Sequence, residues 1–222
     1  GRTLTADQKA WYAATLRSDF AGDRPLMWQE YPSTIDEPFR VSTEGCYYAT
    51  QLADARKQGR VTRLPIETGV PVNTFWDLGL NDNMAIWLHQ RVGPENRFIG
   101  FYKNSGEPLS HYSRWLLDQK HSYGTHYLPH DGGIKRMGLN PDMNESVEDM
   151  LRTLMPGHRF EVVPRVTSVI AGIQATREAF ASCWFDESAC TEGIADLGLY
   201  RKEWDERRGT WKDQPFHGPE SD

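Results

Sequence analysis

Two aspartates stand among residues where an acidic side chain is unexpected. The first, Asp77, lies within Thr74–Leu80, an apolar segment otherwise suited to a central strand. A carboxylate among apolar neighbours must be desolvated unless something pairs with it, and a cation relieves that cost. Two interpretations follow: Asp77 is a metal ligand, or it is a strand-end residue that points to solvent at a turn.

Asp131 is the second aspartate, because it follows a strand predicted at Thr125–Leu128 and precedes two glycines. Ligands of α/β folds collect at the carboxyl ends of strands. If the first and fourth strands are neighbours, Asp77 and Asp131 project from one edge. Carboxylates and phosphate oxygens suit Mg²⁺ or Mn²⁺, and two such ions about 4 Å apart would activate a water and stabilise the leaving oxygen. The pair therefore predicts phosphodiester hydrolysis at a two-metal site.

Three further residues near these aspartates are candidates for the same site. Asp82 shares the turn region of Asp77 and is either an outer metal ligand or simply a turn-forming residue. Lys135 and Arg136 lie on the loop that leaves the proposed metal edge, where they are expected to contact phosphates without distinguishing bases. The other basic groups, including the cluster 56–63, are interpreted as solvated faces.

The elements that must position these residues alternate along the chain. Turn chemistry between short β-branched and aromatic segments predicts an antiparallel meander, and helices and strands then alternate. The expected strands are Asn73–Leu80, Met84–Gln90, Arg97–Lys103, Thr125–Leu128 and Phe160–Val166, and the expected helices include Pro108–His121, Ser146–Met155, Thr167–Phe185 and Cys190–Arg201. From residue 207 the tail is polar. This order predicts one mixed α/β sheet flanked by helices.

Composition excludes several other classes of protein. The 222 residues are 38% hydrophobic and 12% aromatic, so the chain is not disordered. No apolar run approaches the ~20 residues of a membrane helix. The three cysteines match no zinc motif and are expected to fill the core, and no Walker-type phosphate loop, serine-nucleophile elbow or zinc helix occurs. A net charge of −6 argues weakly against a nucleic-acid partner, unless metal ions present the positive charge to phosphate.

Several segments in succession resemble a known family. The segments are Gln29–Thr34 (QEYPST), Pro38–Phe39, Gly45–Tyr48, Thr74–Asp82 (TFWDLGLND), Tyr123–Asp131 (YGTHYLPHD) and Leu197–Arg201 (LGLYR). In this order they resemble the large terminase subunit of tailed bacteriophages, the motor that packages viral DNA. The resemblance spans nearly the whole chain.

The resemblance implies a domain organisation and a set of site residues. Residues 1–65 would be the helical end of a motor domain with its linker, and residues 66–222 an RNase H-like nuclease domain. The family's aspartates on the first strand and after the fourth match Asp77 and Asp131. The family has a third aspartate on a C-terminal helix. Here Gly218 stands where Asp is usual and Asp222 where His is common. The third metal ligand is therefore Asp222 or lies beyond the end of this chain.

The function implied is a Mg²⁺- or Mn²⁺-dependent endonuclease that cuts concatemeric viral DNA in the host cytoplasm. The implied partners are double-stranded DNA, the portal protein, the small terminase subunit and an ATPase domain of the same polypeptide, with no membrane. Two alternatives remain open from the sequence. One is a non-catalytic packaging module that binds DNA or portal with an incomplete metal site. The other is a different RNase H-like enzyme, such as a resolvase or integrase.

Overall fold

The chain divides into two compact units, residues 1–46 and residues 47–222. The computed structural model describes residues 6–18, 45–79, 83–134, 136–137, 144–205 and 208–216. In the first unit, helix α1 (Ala6–Ser18) is described. Residues 47–222 are called the sheet unit below. The predicted boundary between a motor-domain end and a nuclease domain at residue 65 stays a prediction.

The sheet unit is built from strands and helices that alternate along most of its length. Its strands are β1 (Val61–Thr62), β2 (Val72–Leu78), β3 (Asn83–Val92), β4 (Glu95–Ser105), β5 (Tyr123–Leu128), β6 (Arg136–Met137), β7 (Asn144–Glu145), β8 (Arg159–Val162), β9 (Cys183–Asp186), β10 (Lys202–Asp205) and β11 (Thr210–Pro215). Its helices are α2 (Ala49–Lys57), α3 (Leu109–Asp118), α4 (Val147–Leu154), α5 (Val169–Ala179) and α6 (Thr191–Leu199).

Seven strands form one sheet in the order β1-β9-β4-β3-β2-β5-β8. Strand β3 is antiparallel to β2 and to β4, whereas the pairs β2–β5, β5–β8, β4–β9 and β1–β9 are parallel. The predicted meander and the mixed RNase H-like α/β fold are confirmed. The first and fourth strands of the prediction, β2 and β5, are neighbours as expected. Their carboxyl ends therefore lie at the same edge of the sheet.

Local sequence explains where several elements begin and end. Gly93 has φ +57° between β3 and β4, a conformation that favours glycine in a tight turn. Helix α4 begins after Ser146, whose hydroxyl accepts a hydrogen bond from the main-chain N–H of Asp149, and the Asp149 carboxylate accepts one from the N–H of Ser146. This reciprocal capping satisfies two donors that the first helical turn leaves without partners.

Each face of the sheet carries its own core. Helices α3 and α4 pack on one face, where Tyr112, Leu116, Val147 and Leu151 join Trp76 and other buried strand residues. Helices α2, α5 and α6 supply Leu52, Ile173 and Ile194 to the second core, with Phe185 from β9. Cys183 and Cys190 are buried there, as expected for core residues, and burial raises the pKa of their thiols to about 11 and about 12.

Two sequence-based expectations about elements are wrong. The helix expected over Thr167–Phe185 ends at Ala179, and Cys183–Asp186 is strand β9 between β1 and β4. Strand β8 ends at Val162 rather than Val166, because Pro164 has no N–H to donate to a strand ladder. The polar tail contributes β11, which forms an antiparallel hairpin with β10 just before it. Within the described residues, no helix combines the length and apolar composition needed to cross a membrane.

Candidate functional site

Asp77 lies near the carboxyl end of β2, on the face of the sheet that carries α5 and α6. Burial alternates along β2, so that Trp76 and Leu78 point into the opposite core while Phe75 and Asp77 are exposed. This exposure agrees with the interpretation that Asp77 points to solvent, and its role as a metal ligand stays a prediction; its apolar sequence neighbours do not desolvate it because they lie on the other face. An exposed carboxylate at this position is accessible to a ligand from solvent.

Asp131 lies directly after β5, in a short 3-10 helix over His130–Gly133, and is half-buried. The parallel register pairs Phe75 of β2 with Tyr127 of β5. A Cβ added to Gly132 would lie 3.1 Å from side-chain atoms of both Leu78 and Leu128, so this loop packs closely against the end of β2. Asp77 and Asp131 thus belong to the carboxyl ends of two adjacent parallel strands.

The remaining predicted site residues fall largely outside what the structure describes. Asp82, Lys135 and Asp222 are not among the described residues. The main chain of Arg136 belongs to β6, where it pairs with Glu145, but its side chain is outside the description. Among the described residues, no group of three or more His, Cys, Asp or Glu side chains is arranged to hold a metal ion.

An open cavity of about 440 Å³ lies beside Asp77. It has a largely aromatic and aliphatic lining contributed by the sheet and by α5 and α6. The lining residues are Tyr48, Phe75, Trp76, Asp77, Ala85, Trp87, Phe101, Val166, Val169, Gly172, Ile173, Gly193, Asp196, Leu197 and Tyr200. Two carboxylates, Asp77 and Asp196, therefore border the same concave surface.

The pKa of Tyr200, at the end of α6, is raised by its surroundings in this cavity. Burial, together with the neighbouring Tyr48 and Tyr47 phenols and the Asp77 carboxylate, raises the pKa of the Tyr200 phenol to about 12. The phenol is therefore protonated at neutral pH. The Asp77 carboxylate is close enough to Tyr200 for its charge to be felt there.

Lys103 and Asp196 form an ion pair near Asp77 that the sequence analysis did not identify. The Lys103 Nζ lies 3.1 Å from Asp196 Oδ2. In the sheet, Asp77 pairs with Ala85 and Ala85 pairs with Lys103, so the three residues form one row across β2, β3 and β4. Laterally paired residues share a face. Side chains alternate between the two faces along a strand, so counting residues from the turns of the predicted meander would have placed Lys103 on the same face as Asp77.

Arg60 was interpreted from the sequence as part of a solvated basic cluster, and this is wrong. It is buried, and its guanidinium Nη1 donates to the main-chain carbonyls of Phe180 and Cys183 at 2.8 and 2.6 Å. Arg60 therefore fixes the segment that connects α5 to β9. Its partners are 120 or more residues away in sequence, which is why the local charge pattern did not indicate them.

Solved structures similar to this chain are bacteriophage large terminases and their nuclease domains. The large terminase of a thermophilic bacteriophage, solved in its crystal form 3, matches with a TM-score of 0.52 and 16% identity over 76% of this chain and 41% of that chain. It is called the thermophilic-phage large terminase below. The nuclease domain of the P22 large terminase has a TM-score of 0.48, with 15% identity over 70% of this chain and 80% of that one. The large terminase nuclease of phage G20c with bound magnesium has a TM-score of 0.46 at 12% identity, over 76% and 87%.

The strand order and strand directions define the chain first as an RNase H-like α/β protein with two aspartates at the carboxyl edge of its sheet. More particularly, the part that matches has the fold of a phage large terminase, a conclusion that depends on the thermophilic-phage large terminase. This chain spans 41% of the length of that terminase. No protein-family model matches the sequence, and no curated protein is significantly similar to it.

Proposed function

We propose that this chain contains the metal-dependent DNA endonuclease of a viral genome-packaging terminase, which cuts concatemeric DNA by two-metal phosphodiester hydrolysis. The observation that carries the proposal is the position of Asp77 and Asp131. They lie at the ends of the adjacent parallel strands β2 and β5, in a fold shared with the thermophilic-phage large terminase. Two carboxylates that converge on one edge are suited to phosphoryl chemistry.

The residues present fit a divalent cation. Asp77 is exposed and Asp131 is half-buried, and their oxygens are the ligand type preferred by Mg²⁺ and Mn²⁺, which often use only one or two carboxylates. Bound there, the ions would supply an activated water and stabilise the leaving oxygen. Asp77 and Asp131 would hold the metal ions with Asp82, and either Asp222 or a residue beyond it would complete the set. Lys135 and Arg136 would contact phosphates of the DNA.

The proposal extends to the organisation and partners of the whole protein. Residues 1–65 would be the end of a motor domain and its linker, and residues 66–222 the nuclease domain. An ATPase domain of the same polypeptide, the portal protein and the small terminase subunit would then be its partners, acting in the host cytoplasm. The likeness to the thermophilic-phage large terminase supports this arrangement because that protein is a large terminase.

Plasmid cleavage with Mn²⁺ tests the proposal. Replacing Asp77 by alanine is expected to lower the cleavage rate roughly 100-fold or more, because loss of even a residue that supports a metal ligand costs 10–100-fold. Asp118→Ala is the matched control, since Asp118 is exposed at the end of α3. Its cleavage rate should equal that of the parent chain. Equal cleavage by the Asp77 variant would remove this carboxylate from the mechanism.

A non-catalytic packaging module is the second candidate. It is favoured by Gly218, which stands where the resembled family usually has its third aspartate. This candidate predicts binding to DNA or portal protein without cleavage. A chain extended beyond residue 222 that binds duplex DNA but leaves a plasmid intact in Mn²⁺ would support it over the endonuclease. Cleavage by the extended chain would exclude it.

A further inference from the structure

We propose that the Lys103–Asp196 ion pair sets the metal affinity of the Asp77 site, with the two side chains exerting opposite effects. This inference rests on the proposed function, because it concerns the same site. Lys103 and Asp196 would be positioning residues that act through their charges. Neither residue has a role in the endonuclease proposal. Three observations on the described residues carry the inference: the strand register, the shelter of the pair from solvent, and the shared cavity.

The register places Lys103 two strands from Asp77, on the same face of the sheet. Asp77, Ala85 and Lys103 lie in one row, and the residue between them is a small buried alanine. Adjacent strands are about 4.8 Å apart, so the main chains of Asp77 and Lys103 are separated by roughly 10 Å. A long lysine side chain in this row is not blocked by its neighbour. Its charge therefore acts on Asp77 across a short distance.

The pair is largely sheltered from solvent. The Lys103 side chain is 10% exposed and that of Asp196 is 22% exposed, and their charged atoms are 3.1 Å apart. Charges in this position are screened less than surface charges. Asp196 also lines the cavity beside Asp77. A cation held by Asp77 would thus be repelled by Lys103 and attracted by Asp196, and the two effects would largely cancel in the parent chain.

The placement of Asp196 follows from the packing of α6. Gly193, one turn earlier in α6, lies so close to the sheet that an added Cβ would approach the rings of Trp87 and Phe101 to within 2.5 and 2.8 Å. These two aromatic residues occupy the row next to Ala85 and Lys103. The absence of a side chain at Gly193 therefore lets α6 bring the Asp196 carboxylate down to Lys103.

Titration of Mn²⁺ into the whole chain by calorimetry tests the inference without measuring cleavage. With the main-chain separation of roughly 10 Å taken as the distance between the unit charge and a divalent ion, Coulomb's law predicts a change in affinity of about fourfold in a water-like dielectric, and more if the site is shielded. Lys103→Met is expected to bind Mn²⁺ more tightly by this factor, and Asp196→Asn more weakly. Lys103→Arg should match the parent, as should Lys120→Met, a control in the turn before β5.

The double variant Lys103→Met/Asp196→Asn separates a charge effect from direct ligation. Removing both charges is expected to restore an affinity close to that of the parent chain. If Asp196 were itself a metal ligand, the double variant would stay weak, and the inference would be overturned. Should Lys103→Met fail to fold by circular dichroism, Asp196→Asn alone decides, because unchanged or tighter binding contradicts the proposal.

The outcomes also separate this inference from the proposed function. If the parent chain binds Mn²⁺ and cuts DNA but both single variants bind like the parent, the ion pair has no role in metal affinity and the endonuclease proposal stands. If the Mn²⁺ affinities of both single variants change in the same direction, the inference about the ion pair is likewise overturned and the endonuclease proposal stands. If the parent binds no Mn²⁺ at all, the metal-dependent function fails, and the role of the pair fails with it.

Discussion

Replacing Gly193 by alanine is expected to destabilise the sheet unit through a steric conflict between α6 and the sheet. The added methyl group would lie 2.5 and 2.6 Å from Cη2 and Cζ2 of Trp87 and 2.8 Å from Cδ2 of Phe101. Contacts this short require movement. The atoms concerned belong to rigid rings packed against each other with centroids 4.6 Å apart, so neither ring can turn aside without disturbing the other.

The magnitude follows from two opposing effects. Forcing an extra methyl group into a packed interior costs roughly 1–3 kcal/mol. Alanine is also the better helix former, by about 1 kcal/mol relative to glycine in a helix interior. Gly198 in the same helix separates these effects, since a Cβ there would meet a Leu52 side-chain atom at an ordinary 3.6 Å. Gly193→Ala should therefore be less stable than Gly198→Ala by roughly 1–3 kcal/mol.

Urea unfolding followed by tryptophan fluorescence provides the measurement, with the free energy of unfolding compared among the parent and the two variants. Gly193→Ala should lower the urea midpoint, and Gly198→Ala should leave it unchanged or raise it. Equal midpoints for the two variants would refute the close approach of α6 to Trp87. The same pair of variants should differ in Mn²⁺ affinity if α6 positions Asp196, with Gly198→Ala like the parent.

Two further predictions concern buried polar groups. His126 is fully buried between Thr74 and His158, and burial, with the charge of His158, lowers its pKa to about 4. In the unfolded chain the imidazole of this residue takes up its proton near pH 6.5, so the free energy of unfolding should fall as pH drops from 6.5 towards 4, by at most ~1.4 kcal/mol per pH unit. His126→Gln should reduce the difference in stability between pH 7 and pH 5, measured by urea unfolding. A difference as large as that of the parent chain would contradict the prediction. Arg60→Met, which removes the guanidinium donor of the Phe180 and Cys183 carbonyls and leaves the Phe180 carbonyl only the N–H of Cys183, should cost roughly 1–3 kcal/mol in the same assay. The exposed Arg63→Met should stay within about 0.5 kcal/mol of the parent, and equal stability of the two variants would refute the role of Arg60.

The elements that sequence analysis predicted correctly are those with local signals. Short β-branched and aromatic segments separated by turn residues predicted β2, β3 and β4, and Ser146 marked the start of α4. Strand β9 was missed because its four residues follow α5 without glycine or proline between them. What makes Cys183–Asp186 a strand is its pairing with β1 and β4, and partners distant in sequence leave no local pattern.

The candidate site shows the same division between local and distant information. Asp77 and Asp131 were identified because each interrupts or ends an apolar segment, and the parallel pairing of β2 with β5 puts both strand ends at one edge. The roles of these aspartates remain predictions. The sequence left open whether Asp77 faces solvent; the structure shows that it does, because sequence neighbours on a strand belong to opposite faces. Lys103 and Asp196 are 93 residues apart, and their pairing follows from tertiary packing.

The strand order also constrains how the chain acquires its structure during synthesis. Strand β9 lies between β1 and β4, so Val61 obtains its sheet partner, Phe185, only after 124 more residues have been made. Until then the free edge of β4 has unpaired main-chain groups, and such edges promote association between chains. Non-local pairing of this kind also slows folding. A nascent chain that stops before residue 183 is therefore expected to be aggregation-prone, and one that includes β9 to be protected.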